Sequence, residues 1–239
     1  MKDQLKDLLK NGLVKDVFHA EMNLAIFKRI ADDFEILKTT DPEYQSLLGY
    51  LQISANSQIL LALSRLYDNP SKKYPTRCIL SLLDFIKKNK NSFPGIVEKP
   101  NTIECIRSYH PIDGSVDYLI EGITNDDPSI FPDRFYKFYS TQYDQDDIQE
   151  PLNSIRITRD KIVAHNEDYK IQGFESVKNS GIVRLVSFAQ EIVGVLGWAY
   201  LSTVYHTNGN YLLSHNAIQN SHFIDFLINK IKEGNNENI

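Results

Sequence analysis

The chain has 239 residues, 42% hydrophobic and 24% charged, which is the composition of a soluble globular protein with room for a sizeable core. Twenty-six Lys and Arg against 31 Asp and Glu leave a net charge of −5, which does not suit a protein that coats nucleic acid nonspecifically, although a local basic groove remains open. Cys78 and Cys105 form no C-x-x-C pair, so neither a disulfide framework nor a cysteine metal site is implied, and a reducing cytoplasm is the expected location.

In chain order, the charged start Met1–Asp7 lacks the apolar core of a signal peptide. Leu13, Val17, Ala20, Leu24, Phe27, Ala31 and Phe34 alternate three and four apart, predicting a bundle helix over 13–38 that Gly12 separates from a short leading helix. Asp41-Pro42 marks a turn. A second helix over 43–67 follows from Tyr44, Leu47, Leu51, Ala55, Ile59, Ala62 and Leu66. Near its end, Arg65 and Asp68 form either a local surface ion pair, worth little, or support for a groove. A third helix over 75–90 ends in Lys87-Lys88-Asn89-Lys90. That run is either a solvated last turn that complements the helix dipole or a phosphate-attracting rim.

Residues 91–146 hold five prolines, and the reading there is a loop-rich insertion with short helices near 101–108, 114–122 and 130–142. Asp144, Asp146 and Asp147 lack the glycine and terminal glutamate of a calcium loop and are read as helix caps. The next helix, 147–166, has Pro151 in a first turn and Leu152, Ile155 and Ile162 at helical spacing. An almost wholly apolar helix over 181–206 is read as buried rather than membrane-spanning, because Arg184, Gln190 and Glu191 interrupt it. Gly194 and Gly197 would admit a close neighbour. A turn at 206–210, a last helix over 216–233 and a frayed tail at 234–239 complete one all-α domain spanning 1–239.

Chemistry concentrates in Arg159-Asp160-Lys161-Ile162-Val163-Ala164-His165-Asn166. Arg159, Ile162 and His165 follow one i+3 ridge that rises roughly 9 Å, so a permanent cation and an imidazole serve one groove without touching. Arg suits a phosphate through its planar charged fork, and His suits proton transfer near neutral pH. One Arg–His pair supplies one proton-transfer group. Two pairs across a two-fold axis supply an acid, a base and two cations, which predicts a homodimer. No nucleotide-binding glycine loop, no H-E-x-x-H and no G-x-S-x-G occurs, so no cofactor and no metal is expected.

The run Arg159 to His165 resembles the R-x4–6-H signature of the HEPN superfamily, and its form R-[ND]-K-x-x-A-H resembles the AbiU-type abortive-infection branch. Arg65-Leu66-Tyr67-Asp68 resembles the R-L-[FY]-D end of an earlier helix in that branch. The resemblance implies a helical bundle of HEPN type and a metal-independent endoribonuclease. Its composite site would lie at a homodimer interface, with Arg159 and His165 catalytic and Asn166, Arg65, Asp68 and Lys161 contacting RNA. It also implies a toxin-like role, with an antitoxin, such as a nucleotidyltransferase-like protein, as partner. Some toxin members carry Tyr two residues after the His; here that position is Glu167, and the first tyrosine is Tyr169. The alternative is a noncatalytic helical module that holds a nucleotide, RNA or partner protein in the same groove.

Overall fold

The computed structural model describes residues 1–33, 41–71, 73, 75–110, 114–159, 178–219 and 221–236. The protein is all-α apart from one small hairpin among the described residues. Helix α1 (Lys2–Lys6) passes through a wider π-type turn (Asp7–Leu13) into α2 (Val14–Asp32). Gly12 therefore does not break the helix; the expected break is absorbed as a π-turn. Leu13, Val17, Ala20 and Leu24 are buried as the spacing predicts, but Ala31 is exposed and Ile26 and Ile30 are buried instead. A stripe repeating every 3.5 residues drifts around a 3.6-residue helix, so the buried face changes along α2.

Helix α3 (Pro42–Leu66) is started by Asp41, whose carboxylate accepts the Glu43 N–H at 2.9 Å, with Pro42 in the first turn. Ala55, Ile59, Ala62 and Leu66 are buried against α2, whereas Tyr44 and Leu47 are 43% and 44% exposed. The first turns of the predicted stripe therefore face solvent, and Leu48 takes the inward position. Helix α4 (Ile79–Asn89) is capped by Cys78, whose Sγ accepts from the Ser81 N–H.

The three short helices expected in the 91–146 segment are present, each within three residues of its expected bounds. They are α5 (Lys99–Tyr109), α6 (Asp117–Thr124) and α7 (Ile130–Tyr143), and Ile106, Leu119, Ile123, Phe131, Phe135 and Tyr139 enter the main core. Two of the segment's five prolines mark helix starts: Pro100 stands in the first turn of α5 and Pro132 in that of α7.

Helix α8 (Asp146–Thr158) begins one residue before the predicted start. Its N-cap is Gln145, whose side chain does not cap the helix but donates to the Thr141 carbonyl at 3.1 Å. Asp146 and Asp147 are not caps but first-turn carboxylates that complement the dipole. Pro151 lies inside the helix instead of in its first turn, where its missing N–H costs one helical hydrogen bond. Ile148, Leu152 and Ile155 are fully buried and hold the helix in place.

Helix α9 (Asn179–Leu196) is the central element. With the π-type turn Gly197–Leu201 that continues it, it is long and apolar enough to cross a membrane, yet 72% of its apolar window is buried inside the protein. That is the burial of a core helix. Its one buried carboxylate, Glu191, accepts hydrogen bonds from Tyr139 (2.7 Å) and His110 (2.9 Å). A Cβ on Gly194 would lie 2.9 Å from Cys105 Sγ, so the close approach expected there is real. The helix ends earlier than its apolar run suggests, at Ser202 in the left-handed conformation. The predicted turn is the tip of a hairpin, β1 (His206–Thr207) with β2 (Asn210–Tyr211), closed by Asn208 and Gly209 at positive φ.

The predicted last helix is two, α10 (Leu212–Gln219) and α11 (His222–Asn236). Ile224, Ile228 and Ile231 of α11 join Ile26, Ile30 and Leu48 in a second, smaller core.

Candidate functional site

The first motif stretch and Arg159 of the second meet in space. The end of α3 and the end of α8 enclose a cleft of about 120 Å³, lined by Ser64, Tyr67, Asp68 and Asn69 from one side and by Leu152, Arg156 and Arg159 from the other. The alignment follows from burial. Leu63 and Leu66 face inward on α3, Leu152 and Ile155 face inward on α8, and the residues one step round each helix are left at the shared rim. Arg159 is half-buried at the C-terminal end of α8, next to the apolar stripe as its spacing from Ile155 predicts. Arg156 stands one turn earlier on the same side.

Tyr67 fixes the floor. It is buried, its hydroxyl donates to the Leu185 carbonyl of α9 at 2.6 Å, and its ring stacks on Tyr143 with centroids 6.0 Å apart. Burial raises the pKa of both phenols, and the Arg156 charge opposes that shift at Tyr143, so both stay protonated at neutral pH. Immediately beyond Tyr67 the chain leaves the helix. Asp68 Oδ1 accepts the Asn69 N–H at 2.8 Å, which turns the segment outward. Ser64 Oγ is buried without a hydrogen-bond partner among the described residues and lines the same cleft. A ligand hydroxyl or phosphate oxygen would satisfy it. Among the described residues the cleft is lined by two guanidinium groups and one carboxylate, in a chain of net charge −5.

Other expected site residues fall elsewhere. Arg65 does not pair with Asp68: its Nε donates to Asp16 of α2 at 2.7 Å, and it lines a neighbouring cleft. Long-range pairing wins because Asp16 is largely sheltered, with its side chain 13% exposed, and an arginine is needed to compensate it. Burial raises the Asp16 pKa and the bond from Arg65 opposes that shift. Asp68 lines both clefts. Lys161, His165 and Asn166 lie outside the described residues.

The lysine run at the end of α4 is not a rim of this site. Lys88 pairs with Asp84, Lys90 pairs with Asp133 of α7, and Lys87 sits 4.8 Å from the Tyr136 ring centroid. Arg156 and Ser64 were not singled out in the sequence. The i+3 step from Arg159 back to Arg156 is the only signal that pointed there, and Ser64 carries none.

Comparison with known proteins gives one assignment. The HEPN family model AbiU2 matches residues 2–222. No curated protein and no solved structure matches the chain.

Proposed function

This chain belongs to the AbiU2 family of HEPN domains, and from that premise we propose that it is a metal-independent endoribonuclease acting in abortive infection. The observation that carries the reading is the meeting of Arg159 with the Arg65–Asp68 end of α3 at one cleft. These two short motifs are far apart in sequence, and each alone is a weak signal.

The chemistry needs few groups. Arg159 binds the scissile phosphate and takes up the negative charge that grows on its oxygens. One His165 accepts the proton of the ribose 2′-hydroxyl as its oxygen bonds to phosphorus. The P–O5′ bond breaks, a second His165 protonates the leaving 5′-oxygen, and a cyclic phosphate remains. A single chain has one such histidine in the motif, so the proposed active form is a homodimer that brings two Arg159–His165 sets to one phosphate. A silencing antitoxin belongs to the same proposal, since a free ribonuclease would harm its host.

A second reading is favoured by Glu167, which stands where some toxin members carry tyrosine, and by the acidic balance of the chain. In that reading the cleft binds RNA, a nucleotide or a partner without cutting.

One experiment separates the two. Purified protein is incubated with total RNA and EDTA beside His165→Ala and Arg159→Ala. Loss of a proton-transfer group lowers the cleavage rate by roughly 10²- to 10⁴-fold. Uncut RNA with the wild-type dimer, or equal cutting by His165→Ala, overturns the nuclease.

A further inference from the structure

The Arg159 cleft opens beside a second, larger one of about 370 Å³, and Asp68 lines both. The second cleft gathers Lys15, Asp16 and His19 from α2, Arg65 from the end of α3, and Arg77 from the stretch that leads into α4. Lys15 and His19 are four apart on one helix, so both reach the same side. Both are exposed. Arg77 reaches the cleft only because residue 12 is glycine: a Cβ there would lie 2.4 Å from Arg77 Cβ and 2.8 Å from its carbonyl oxygen. The glycine thus lets the Arg77 backbone lie directly on the first helical stretch.

Both arginines are oriented before any ligand arrives. Arg65 Nε donates to Asp16, and Arg77 Nε donates to Asp7 at 2.7 Å. Each carboxylate takes the Nε edge, which leaves the four Nη–H donors of each fork outside that contact. The side chains remain half-exposed, at 53% and 52%. A guanidinium held in this way loses little rotamer freedom when it meets a phosphate. Asp68 stands between the two clefts. Its charge repels a phosphate at that point, and its oxygens accept hydrogen bonds from a ribose hydroxyl. The two clefts thus share one acceptor, Asp68, and each carries cationic side chains of its own, a combination that suits a ribose phosphate chain better than one small anion.

We propose that this second cleft is a phosphate-binding subsite for the single-stranded RNA segment that flanks the scissile nucleotide, held by Lys15, His19, Arg65 and Arg77. The proposal rests on the reading that the Arg159 cleft receives RNA, and it extends the footprint of that site by one or more nucleotides on one side.

The test uses the full chain carrying His165→Ala, so that labelled RNA stays whole, and reads fluorescence anisotropy for a long oligoribonucleotide and for a trimer. Each single-strand phosphate contact contributes about 0.7 to the slope of log affinity against log salt. Adding Lys15→Gln and Arg77→Gln together lowers that slope for the long oligomer by about 1.4, so the parent loses about 7-fold more affinity than the double variant between about 50 and 200 mM salt. Lys15→Gln alone, which leaves the Asp7–Arg77 pair intact, lowers the slope by about 0.7. The trimer, which fills only the Arg159 cleft, binds the variants and the parent equally.

An unchanged slope for the long oligomer overturns the subsite and leaves the Arg159 site standing. Equal weakening of the trimer also overturns it, since the cations would then act at the first cleft or through the fold. A lowered slope in a protein whose wild type never cuts RNA keeps the subsite and removes the nuclease. If Arg159→Gln changes neither oligomer's affinity, the Arg159 reading fails and the proposal fails with it.

Discussion

Two glycines inside helical stretches should respond to the same substitution with opposite signs. Alanine favours a helix interior over glycine by about 0.8–1.0 kcal/mol. At Gly49 in α3 an added Cβ meets nothing within 4 Å, so Gly49→Ala should stabilise by about that amount, raising Tm by roughly 2–4 °C in a chain of this size. At Gly12 the same Cβ meets Arg77 Cβ at 2.4 Å and the Arg77 carbonyl oxygen at 2.8 Å. Neither atom belongs to a flexible side-chain tip, so the backbone at Arg77 must move. Overpacking of that kind costs about 1–3 kcal/mol, which meets or exceeds the propensity gain. Gly12→Ala should therefore be neutral to about 2 kcal/mol destabilising. Urea unfolding followed by circular dichroism gives both values, and their difference cancels the propensity contribution and isolates the contact with Arg77. A Gly12→Ala protein as stable as Gly49→Ala would refute the close approach. It would also remove the reason given for the position of Arg77 in the second cleft.

The buried Glu191 gives a second prediction. Tyr139→Phe removes one of its two hydrogen bonds, and a bond to a charged group contributes about 1.5–3 kcal/mol, so Tm should fall by roughly 3–12 °C. In a Glu191→Gln background the same change should cost only about 0.5–1.5 kcal/mol, and equal losses in both backgrounds would show that the carboxylate is not the partner. A third prediction concerns pH. Burial raises the Asp16 pKa, so the folded state holds that proton more tightly than the unfolded one, and stability falls as pH rises from the ordinary carboxylate value of 3.8 through the raised one. Asp16→Asn should remove that part of the slope, measured as wild type minus variant in urea midpoints across acid pH; a difference that is flat or rises with pH would contradict the assignment. Burial likewise raises the Glu21 pKa, so Glu21→Gln should change the profile in the same direction.

The helical class and the position of most helices could be read in the sequence because apolar spacing and prolines are local signals. Ala55, Ile59, Ala62 and Leu66 are buried as their spacing demands, and Asp41-Pro42, read as a turn, caps and opens the helix that follows it. Arg159 also stands where the step from Ile155 puts it, at the edge of a buried stripe. What local signals do not carry is which end of a stripe finds a neighbour. Tyr44 and Leu47 continue the pattern of α3 and yet face solvent, and Ala31 on α2 gives way to Ile30.

The proline-rich 91–146 segment holds the three short helices expected of it, and what its prolines leave open is whether those helices form a covering insertion or part of the core. Only the packing of Phe131, Phe135 and Tyr139 into the main core distinguishes the two. The partner of Arg65 was settled in the same way. Asp68 is three residues away and Asp16 is forty-nine, and only the fold brings a sheltered carboxylate on α2 to the end of α3. The sequence by itself determined the helices and named a cation and an imidazole. The tertiary structure decided that the ends of α3 and α8 share a cleft, and that Lys15, His19 and Arg77 stand beside it. Nearness between distant residues depends on how buried faces pack, and no spacing along a single helix encodes that.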